Sequence, residues 1–264
     1  MINGEQHMLQ KKIKRQHMTF FRYFFILIWR IWFYAWFLLS IIPVFPVLII
    51  VTSSEKMYPV FFKIARAWAK TILFVMGFKI DLAEEQVLKK EKSFMFCPNH
   101  TSMIDVLVML AITKNPFVFV GKVELTKIPI FGFFYKRTCI IVDRSNSKSR
   151  TAVFDEARLK LSNGLDICIF PEGLVPYDES MVLSEFKNGA FRLAVEYQIP
   201  VVPITMYDCK KLFSYTFFSG GPGKLRVKVH SFIKTEGLTL KDCNSLKKQT
   251  FNVIYNDLVD AKVF

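Results

Sequence analysis

The sequence predicts an α/β domain, built on a mixed and largely parallel central sheet flanked by helices, that follows a membrane-embedded helical segment. From Lys79 onward, short apolar runs alternate with helix-like segments, and this alternation is typical of a sheet covered by helices on both faces. Before that point, Phe20 to Val51 is almost continuously apolar, which is long enough to enter a bilayer. These patterns divide the chain into a basic tail over 1–18, a membrane-embedding helical segment over 19–78 and the α/β domain over 79–264.

The apolar run from Phe20 to Val51 follows a tail with several basic residues. Because the run is too long for the core of a signal peptide and has no small-residue cleavage site after it, we expect a retained membrane segment. Pro43 and Pro46 are expected to break the helix. The part before them could span the bilayer or form one arm of a re-entrant hairpin. An ordinary signal anchor without a role in lipid selection is the alternative.

A second stretch, Tyr58 to Phe78, interleaves apolar residues with Lys63, Arg66 and Lys70. This pattern predicts an amphipathic helix at a membrane interface. Basic residues flank the preceding apolar run on both sides, so the positive-inside rule gives no orientation. A hairpin dipping into one leaflet therefore fits at least as well as a single span.

The composition also favours contact with lipid. Hydrophobic residues make up 52% of the chain and 28 of the 264 residues are Phe, an apolar share above that of an ordinary soluble domain. With 36 Lys and Arg against 22 Asp and Glu, the chain has a formal net charge of +14. This charge favours anionic membranes, phosphorylated small molecules or nucleic acid as partners. The five cysteines are scattered without a CxxC pair, so neither a zinc site nor a disulfide framework is expected.

The domain after Lys79 is expected to contain six strands and four main helices. Two prolines, Pro200 and Pro203, bracket one strand, which favours the edge or the end of the sheet for that strand. The strands are predicted at Phe94–Cys97, Phe117–Val120, Cys139–Val142, Asp166–Phe170, Val201–Ile204 and Leu225–Phe232, and the helices at Ser102–Ile112, Ser149–Leu161, Ser184–Tyr197 and Ser245–Val259, with a shorter helical turn near Pro129–Tyr135.

The run Asn99 to Asp105, with the sequence NHTSMID, is the strongest candidate for chemistry because it joins the first strand to the first helix. If His100 lies in the loop and Asp105 in the first helical turn, the carboxylate can hold the imidazole in one tautomer, ready to take a proton from a hydroxyl. Ser102 and Asp105 also match a capping box, in which Asp105 closes the helix and His100 is a turn residue. By itself, this pair of residues favours neither the catalytic interpretation nor the helix cap.

Two other loops follow strands and carry charged residues. Glu172 and Gly173 follow Phe170-Pro171 at the end of the fourth strand, where a carboxylate can bind ligand hydroxyls or can belong to a scaffolding turn. Lys122 follows the second strand and could pair with a phosphate as a compact charge, or be a solvated lysine. Each loop is a weak signal by itself.

In this order, NHTSMID, GKVEL with IPIFG, FPEG, FKNGAFRLA and IPVVPI resemble the glycerolipid acyltransferase family, typified by 1-acylglycerol-3-phosphate acyltransferases. The resemblance covers about residues 79–232. It implies that His100 is the general base, that Asp105 orients it, that Lys122 reaches the phosphate of the acceptor, and that Glu172 and Gly173 shape the acceptor site. It also implies direct attack of the acceptor hydroxyl on the thioester of acyl-CoA or acyl-carrier protein, which serves as co-substrate. No other cofactor is expected, and no catalytic metal, since the chain offers one His and acids in separate loops.

One position departs from the family. Many members continue FPEG with Thr-Arg-Ser, whereas Val175 stands here in place of the arginine that binds phosphate. A valine cannot form charge-assisted hydrogen bonds. Either another basic residue compensates, with Arg144 taken as the substrate-binding choice, or the acceptor is not a glycerol phosphate. The other basic residues considered are Arg137, Lys187 and Arg192.

The resulting leading hypothesis is a membrane-associated O-acyltransferase that converts 1-acylglycerol-3-phosphate to phosphatidic acid. The alternative acceptor is a lyso-aminolipid of the N-acyl glycine or ornithine type. An alternative of another class is a basic membrane-binding protein without catalysis. The expected partners are the lysolipid, the thioester donor and membrane lipid, with no nucleic acid, and the expected location is the bacterial inner membrane with the catalytic domain cytoplasmic.

Overall fold

The computed structural model describes residues 2–87, 92–143, 147–175 and 181–262. Within these ranges, three N-terminal helices precede an α/β domain. The helices are α1 (Ile2–Leu39), α2 (Phe45–Val51), α3 (Tyr58–Val75), α4 (Asp105–Ile112), α5 (Phe131–Thr138), α6 (Ser147–Ser162), α7 (Gly189–Glu196), α8 (Cys209–Leu212) and α9 (Cys243–Asp260). The strands are β1 (Phe78–Glu84), β2 (Met95–Pro98), β3 (Phe117–Lys122), β4 (Cys139–Val142), β5 (Asp166–Cys168), β6 (Val201–Met206) and β7 (Gly223–Val229).

The seven strands form one sheet in the order β1-β7-β6-β2-β5-β3-β4. Every neighbouring pair is parallel except β6 and β7, which are antiparallel. The five strands from β6 to β4 consequently run in one direction, and β7 with β1 in the other. The predicted mixed and largely parallel sheet with flanking helices is confirmed.

The first strand, β1, was not predicted. It pairs with β7 along its whole length, from Phe78 opposite Gly223 to Glu84 opposite Val229. Its residues alternate apolar and polar from Phe78 to Leu82, but the run is short and only Phe78 is buried, so the alternation is a weak signal. The pairing depends on a partner nearly 150 residues later in the chain, which no local pattern records.

The strand that contains Pro203 does not lie at an edge, as the two prolines suggested. β6 lies inside the sheet between β7 and β2. Its antiparallel pairing with β7 covers Ile204 to Met206, so Pro203 lies just beyond that ladder. Its carbonyl accepts the His230 N–H at 3.1 Å, and within a strand the nitrogen of a residue faces the same side as its carbonyl. The missing N–H of Pro203 therefore falls where the β7 ladder has already ended.

The two prolines do interrupt the apolar run. α1 ends at Leu39, a 3-10 turn follows at Ile42–Val44, and α2 begins at Phe45. Among the described residues, the helical run Phe20–Val51 is long and apolar enough to cross a membrane by length and composition. Most of its apolar side chains point away from the protein.

The predicted amphipathic helix is present as α3, but its apolar face packs on protein. Phe62, Ala69 and Ile72 are buried in the domain core. α1 lies antiparallel beside α3, because Trp29 donates its indole N–H to the Met76 carbonyl at 3.2 Å and Trp68 donates to Ser40 Oγ at 2.8 Å. The N-terminal helices are thus attached to the domain along the inner face of α1.

Candidate active site

The site lies at the carboxyl ends of β2, β5 and β3, which are neighbours in the sheet. Asn99 fixes the end of β2 to the end of β6. Its side-chain N–H donates to the Met206 carbonyl at 3.0 Å, and its side-chain oxygen accepts the Met206 N–H at 2.7 Å. Because Asn99 is buried, this pair of hydrogen bonds defines where the chain turns into the His100 loop.

His100 and Asp105 meet as the motif predicted. The Nδ1 atom of His100 lies 2.9 Å from Asp105 Oδ2, and Asp105 is the first residue of α4 and fully buried. The same oxygen accepts the backbone N–H groups of Thr101 at 2.6 Å and Ser102 at 2.8 Å. One carboxylate oxygen therefore orients the imidazole and closes the helix N-terminus, so the two interpretations of the motif are both present.

The imidazole is held on its face as well as through Nδ1. The ring of His100 stacks on Phe170 with centroids 4.1 Å apart, and Phe170 stacks in turn on Phe119 at 6.0 Å. The side chain of His100 retains 19% exposure. With Nδ1 directed at the carboxylate, Nε2 is the nitrogen that can reach a substrate hydroxyl.

Glu172 holds the His100 loop through a hydrogen bond to its backbone. Its Oε1 accepts the His100 N–H at 2.7 Å and its Oε2 accepts the Ser184 N–H at 2.9 Å. Burial raises the pKa of the Glu172 carboxyl, and the two N–H donors partly oppose that rise. Because both oxygens are engaged with backbone, the geometry shows Glu172 joining two loops. The predicted contact of Glu172 with an acceptor stays a prediction.

The next residue, Gly173, turns the chain away from the sheet. Its φ is 76°, a left-handed conformation that glycine adopts without a steric penalty. Its N–H closes the turn on the Phe170 carbonyl at 3.0 Å. The FPEG sequence is thus a buried turn. It places the Phe170 ring against the imidazole of His100 and the Glu172 carboxylate against the His100 N–H.

Lys122 ends β3 at the same edge of the sheet, in register with Val142 of β4, and is half-buried. Of the basic residues considered as replacements for the missing arginine, Lys187 is joined to the FPEG turn, because its N–H donates to the Pro171 carbonyl at 2.8 Å. Arg137 precedes β4 at the opposite edge, where its guanidinium covers Phe133 at 3.6 Å. Arg192 lies 5.7 Å from the ring of Phe154, and Arg144 lies outside the described residues.

Two residues at the site have contacts that the sequence did not indicate. Ser102 is buried, and its hydroxyl donates to the Phe213 carbonyl at 2.5 Å. Cys209 is also buried beside Asp105; burial raises the pKa of its thiol well above the usual value, and the carboxylate raises it further. Both come from the segment after β6 or contact it, so only the folded chain brings them to the His100 loop.

The sequence and the fold of this chain resemble those of known proteins. A family model described as Acyltransferase matches residues 79–207. An uncharacterized acyltransferase of Schizosaccharomyces pombe is 30% identical over 207 residues, which cover 77% of this chain and 74% of that protein. This chain belongs to the acyltransferase family. It is accordingly an enzyme that transfers acyl groups, and the match spans the loops that carry His100, Lys122 and Glu172.

Two further similarities place this acyltransferase within the family. The 1-acyl-sn-glycerol-3-phosphate acyltransferase alpha of Homo sapiens is 30% identical over 191 residues, covering 70% of this chain and 65% of that protein. The crystal structure of the 1-acyl-sn-glycerophosphate acyltransferase of Thermotoga maritima has a TM-score of 0.73 with 22% identity, and the match covers 91% of this chain and 98% of that one. The second similarity shows that the two proteins share a fold.

Proposed function

We propose that this acyltransferase is a membrane-associated enzyme that moves a fatty acyl chain from acyl-CoA or acyl-carrier protein to the hydroxyl of 1-acylglycerol-3-phosphate, giving phosphatidic acid. The observation that carries the proposal is the 2.9 Å contact between His100 Nδ1 and an Asp105 oxygen that two backbone N–H groups also hold. The named activity of the human relative supplies the acceptor.

In the proposed reaction, the Nδ1–H of His100 donates a hydrogen bond to Asp105, and Nε2 takes the proton of the acceptor hydroxyl. The hydroxyl oxygen forms a bond to the carbonyl carbon of the thioester, and the carbon–sulfur bond breaks. The thiolate leaves and receives the proton from the imidazolium. The buried Asp105 carboxylate stabilises the imidazolium while it carries that proton. No acyl-enzyme forms, because the substrate itself provides the nucleophile.

The phosphate of the acceptor is assigned to Lys122 and Lys187. Both lie at the carboxyl edge of the sheet, one at the end of β3 and the other hydrogen-bonded through its backbone to Pro171. Two lysines can replace one arginine as point charges, though without the bidentate geometry of a guanidinium. Gly173 would let the loop approach the glycerol backbone closely.

A lyso-aminolipid is the second candidate acceptor, and Val175 is the observation that favours it. Val175 is half-buried and apolar at the position where many family members carry the phosphate-binding arginine. An acceptor whose headgroup lacks a phosphate would need no cation there. Both candidates share the hydroxyl chemistry at His100 and differ only in the headgroup.

The experiment supplies purified enzyme with acyl-CoA and either 1-acylglycerol-3-phosphate or a monoacyl aminolipid, and identifies products by mass. The proposal expects phosphatidic acid from wild type and none from His100→Ala that remains folded. Product from the aminolipid alone would replace the leading acceptor. Undiminished transfer by His100→Ala would remove His100 as the base, and donor thioester cleavage that continues without any acceptor would point to hydrolysis.

We further propose that the segment over 19–78 inserts its outward apolar face, chiefly that of Phe20–Val51, into one leaflet and that the domain over 79–264 faces the cytoplasm. The antiparallel contact of α1 with α3 supports a hairpin, since it attaches the inner face of α1 to the domain. All five thiols are free and buried, which is typical of a reducing compartment. The bacterial inner membrane stays a prediction.

A further inference from the structure

The loop between α8 and β7, residues 213–222, is here named the aromatic loop. It exposes three large aromatic side chains, with Tyr215 61%, Phe217 40% and Phe218 50% exposed. A soluble surface seldom groups exposed aromatic residues in this way, and such a patch usually contacts a partner or a membrane. The loop lies beyond the stretch over 79–207 that matches the acyltransferase family model.

The backbone carbonyls of the aromatic loop point inward to a buried arginine of α1. The Nη2 atom of Arg30 donates to the carbonyl oxygens of Ser214 at 2.8 Å, Thr216 at 3.1 Å and Ser219 at 2.9 Å. Arg30 is only 2% exposed. A guanidinium in an apolar segment is costly unless it is paired. These three carbonyls pair its Nη2, whereas its buried Nε has no hydrogen-bond partner among the described residues.

Aromatic faces complete the enclosure of Arg30. Its guanidinium carbon lies 4.7 Å from the ring centroid of Phe213 and 5.3 Å from that of Phe217. Cation–π contacts of this kind gain strength when water is excluded. Phe217 thus shields the guanidinium while part of its own ring still faces outward.

Three N–H groups of the loop are bonded within the loop or to the end of α8. The Thr216 N–H donates to Ser214 Oγ at 3.1 Å, and the Ser219 N–H donates to the Thr216 carbonyl at 3.2 Å. The Gly221 N–H reaches the Leu212 carbonyl at 3.0 Å. Ordinary surface loops leave such groups to water, whereas non-helical backbone at the depth of lipid must satisfy them internally. The N–H groups of Thr216, Ser219 and Gly221 and the carbonyls bound to Arg30 meet that requirement, and the loop presents aromatic rings outward.

The aromatic loop is continuous with the outward apolar surface of α1. Phe218 packs edge-on against Tyr23 at 5.7 Å, and Phe24 and Ile31 on the same helix are about half exposed. Lys211, just before the loop, is also exposed. Aromatic rings beside a basic residue are characteristic of the headgroup region of a membrane.

We propose that the aromatic loop is a second lipid-contacting element, which lies at the headgroup level of the leaflet that holds α1 and is kept there by Arg30. The inference rests on the proposed membrane association of Phe20–Val51. The Ser102 hydroxyl joins the base of the loop, at the Phe213 carbonyl, to the His100 motif. The loop therefore places the site beside the lipid surface from which an acceptor would come.

The test uses the full chain with one added cysteine that carries an NBD fluorophore, reconstituted in vesicles of phosphatidylcholine and phosphatidylglycerol with spin-labelled acyl chains. The native cysteines are all buried, so labelling is selective for the added one. Phe218→Cys reports on the loop, Ile31→Cys on α1, and Leu240→Cys, at a residue 52% exposed, is the control beside the amino end of β6. We expect loss of NBD fluorescence at 218 and at 31, and none at 240.

Quenching at 31 without quenching at 218 would overturn the role of the loop and leave the membrane association of α1 standing. Absence of quenching at both positions would overturn both. Introducing Arg30→Met into the 218 probe is expected to reduce its quenching and to leave the 31 probe unchanged. Arg22→Met, on the exposed part of the same helix, is the matched control. Equal quenching in all three backgrounds would show that Arg30 does not hold the loop.

Discussion

At the scale of single residues, Asp105 has two tasks that usually fall to different side chains. Its Oδ2 accepts hydrogen bonds from the ring of His100 and from the N–H groups of Thr101 and Ser102. Half of the predicted capping box is present, because the Ser102 N–H reaches the carboxylate, while Ser102 Oγ accepts the Ile104 N–H at 3.3 Å and donates to another loop. The cap thereby fixes the carboxylate that orients the His100 ring.

Asp105→Asn separates the two tasks. The amide oxygen can still accept the three hydrogen bonds, so we expect a folded protein with a melting temperature close to that of wild type. A neutral amide cannot stabilise the imidazolium, so kcat for transfer from acyl-CoA should fall by roughly 10²–10⁴-fold. Thiol release in the presence of acceptor measures the rate. A folded variant that keeps the wild-type kcat would contradict the role of Asp105.

Asp166, at the amino end of β5, is a buried carboxyl far from the catalytic edge. Its Oδ1 accepts the Phe94 N–H at 3.0 Å, and among the described residues its Oδ2 has no hydrogen-bond partner. Burial raises the pKa of Asp166 to about 7. The folded protein then binds the proton more tightly than the unfolded chain, so the stability that this proton provides is complete below about pH 4 and lost as the pH rises through 7.

Asp166→Asn should therefore become more stable relative to wild type as the pH rises from 5 to 8. Across the whole titration of Asp166, the free energy of unfolding of the variant relative to wild type should change by at most about 4 kcal/mol. Melting curves of both proteins at several pH values measure it, with other titrating groups cancelling between them. Parallel dependence of the two melting temperatures on pH would show that Asp166 ionises normally. Transfer activity serves as a control and should not change.

At the scale of elements, the segment from β3 to α5 positions Lys122. The chain reverses at Ile130, whose φ of 62° is uncommon for a β-branched residue, and the Phe131 N–H closes a three-residue turn on the Pro129 carbonyl at 2.6 Å. The turn brings Gly132 against the 3-10 turn Val123–Lys127. The IPIFG sequence thus packs the start of α5 against the turn that follows Lys122.

Gly132→Ala tests this packing, because an added Cβ would lie 2.2 Å from the Thr126 carbonyl oxygen. Backbone must shift to make room, so we expect a loss of about 1–3 kcal/mol in the free energy of unfolding and a higher KM for the phosphate acceptor. The matched control is Gly189→Ala at the start of α7, where nothing lies within 4 Å of an added Cβ. That variant should be neutral or slightly stabilised. Equal melting of the two variants would contradict the packing argument.

At the scale of the whole molecule, if the chain associates with a membrane as proposed, charge and apolar surface act at different stages. The formal net charge of +14 attracts the chain to anionic lipid over a Debye length, about 10 Å at 0.1 M salt and about 3 Å at 1 M. The exposed apolar side chains of α1 act only on contact, and their burial in lipid is not screened by salt.

Raising the salt concentration from 0.1 M to 1 M should therefore slow transfer of the detergent-solubilised protein to anionic vesicles without releasing protein already bound. Tryptophan fluorescence, to which Trp32 contributes from its half-exposed position on α1, can follow the transfer. Zwitterionic vesicles are the control and should show no slowing. Release of bound protein at high salt would mean that the membrane contact is electrostatic and that α1 is not inserted.

The sequence by itself determined those features that depend on residues close together in the chain. The alternation after Lys79, the helix break at the two prolines and the meeting of His100 with Asp105 were predicted, because periodicity, ring geometry and a five-residue spacing are local properties. The order of motifs was also sufficient to indicate the acyltransferase family. The pattern did not decide whether Asp105 orients His100 or caps the helix, and in the structure Asp105 does both.

Only the tertiary structure decided which distant segments meet. β1 exists because β7 pairs with it, Pro203 is tolerated inside the sheet because the β7 ladder ends beside it, and the apolar face of α3 is covered by the domain. Arg30 gives no sign in the sequence that it bonds to carbonyls more than 180 residues later. Contacts of this kind depend on how the sheet orders its strands, and that order follows from burial of the whole core, which no short stretch of residues encodes.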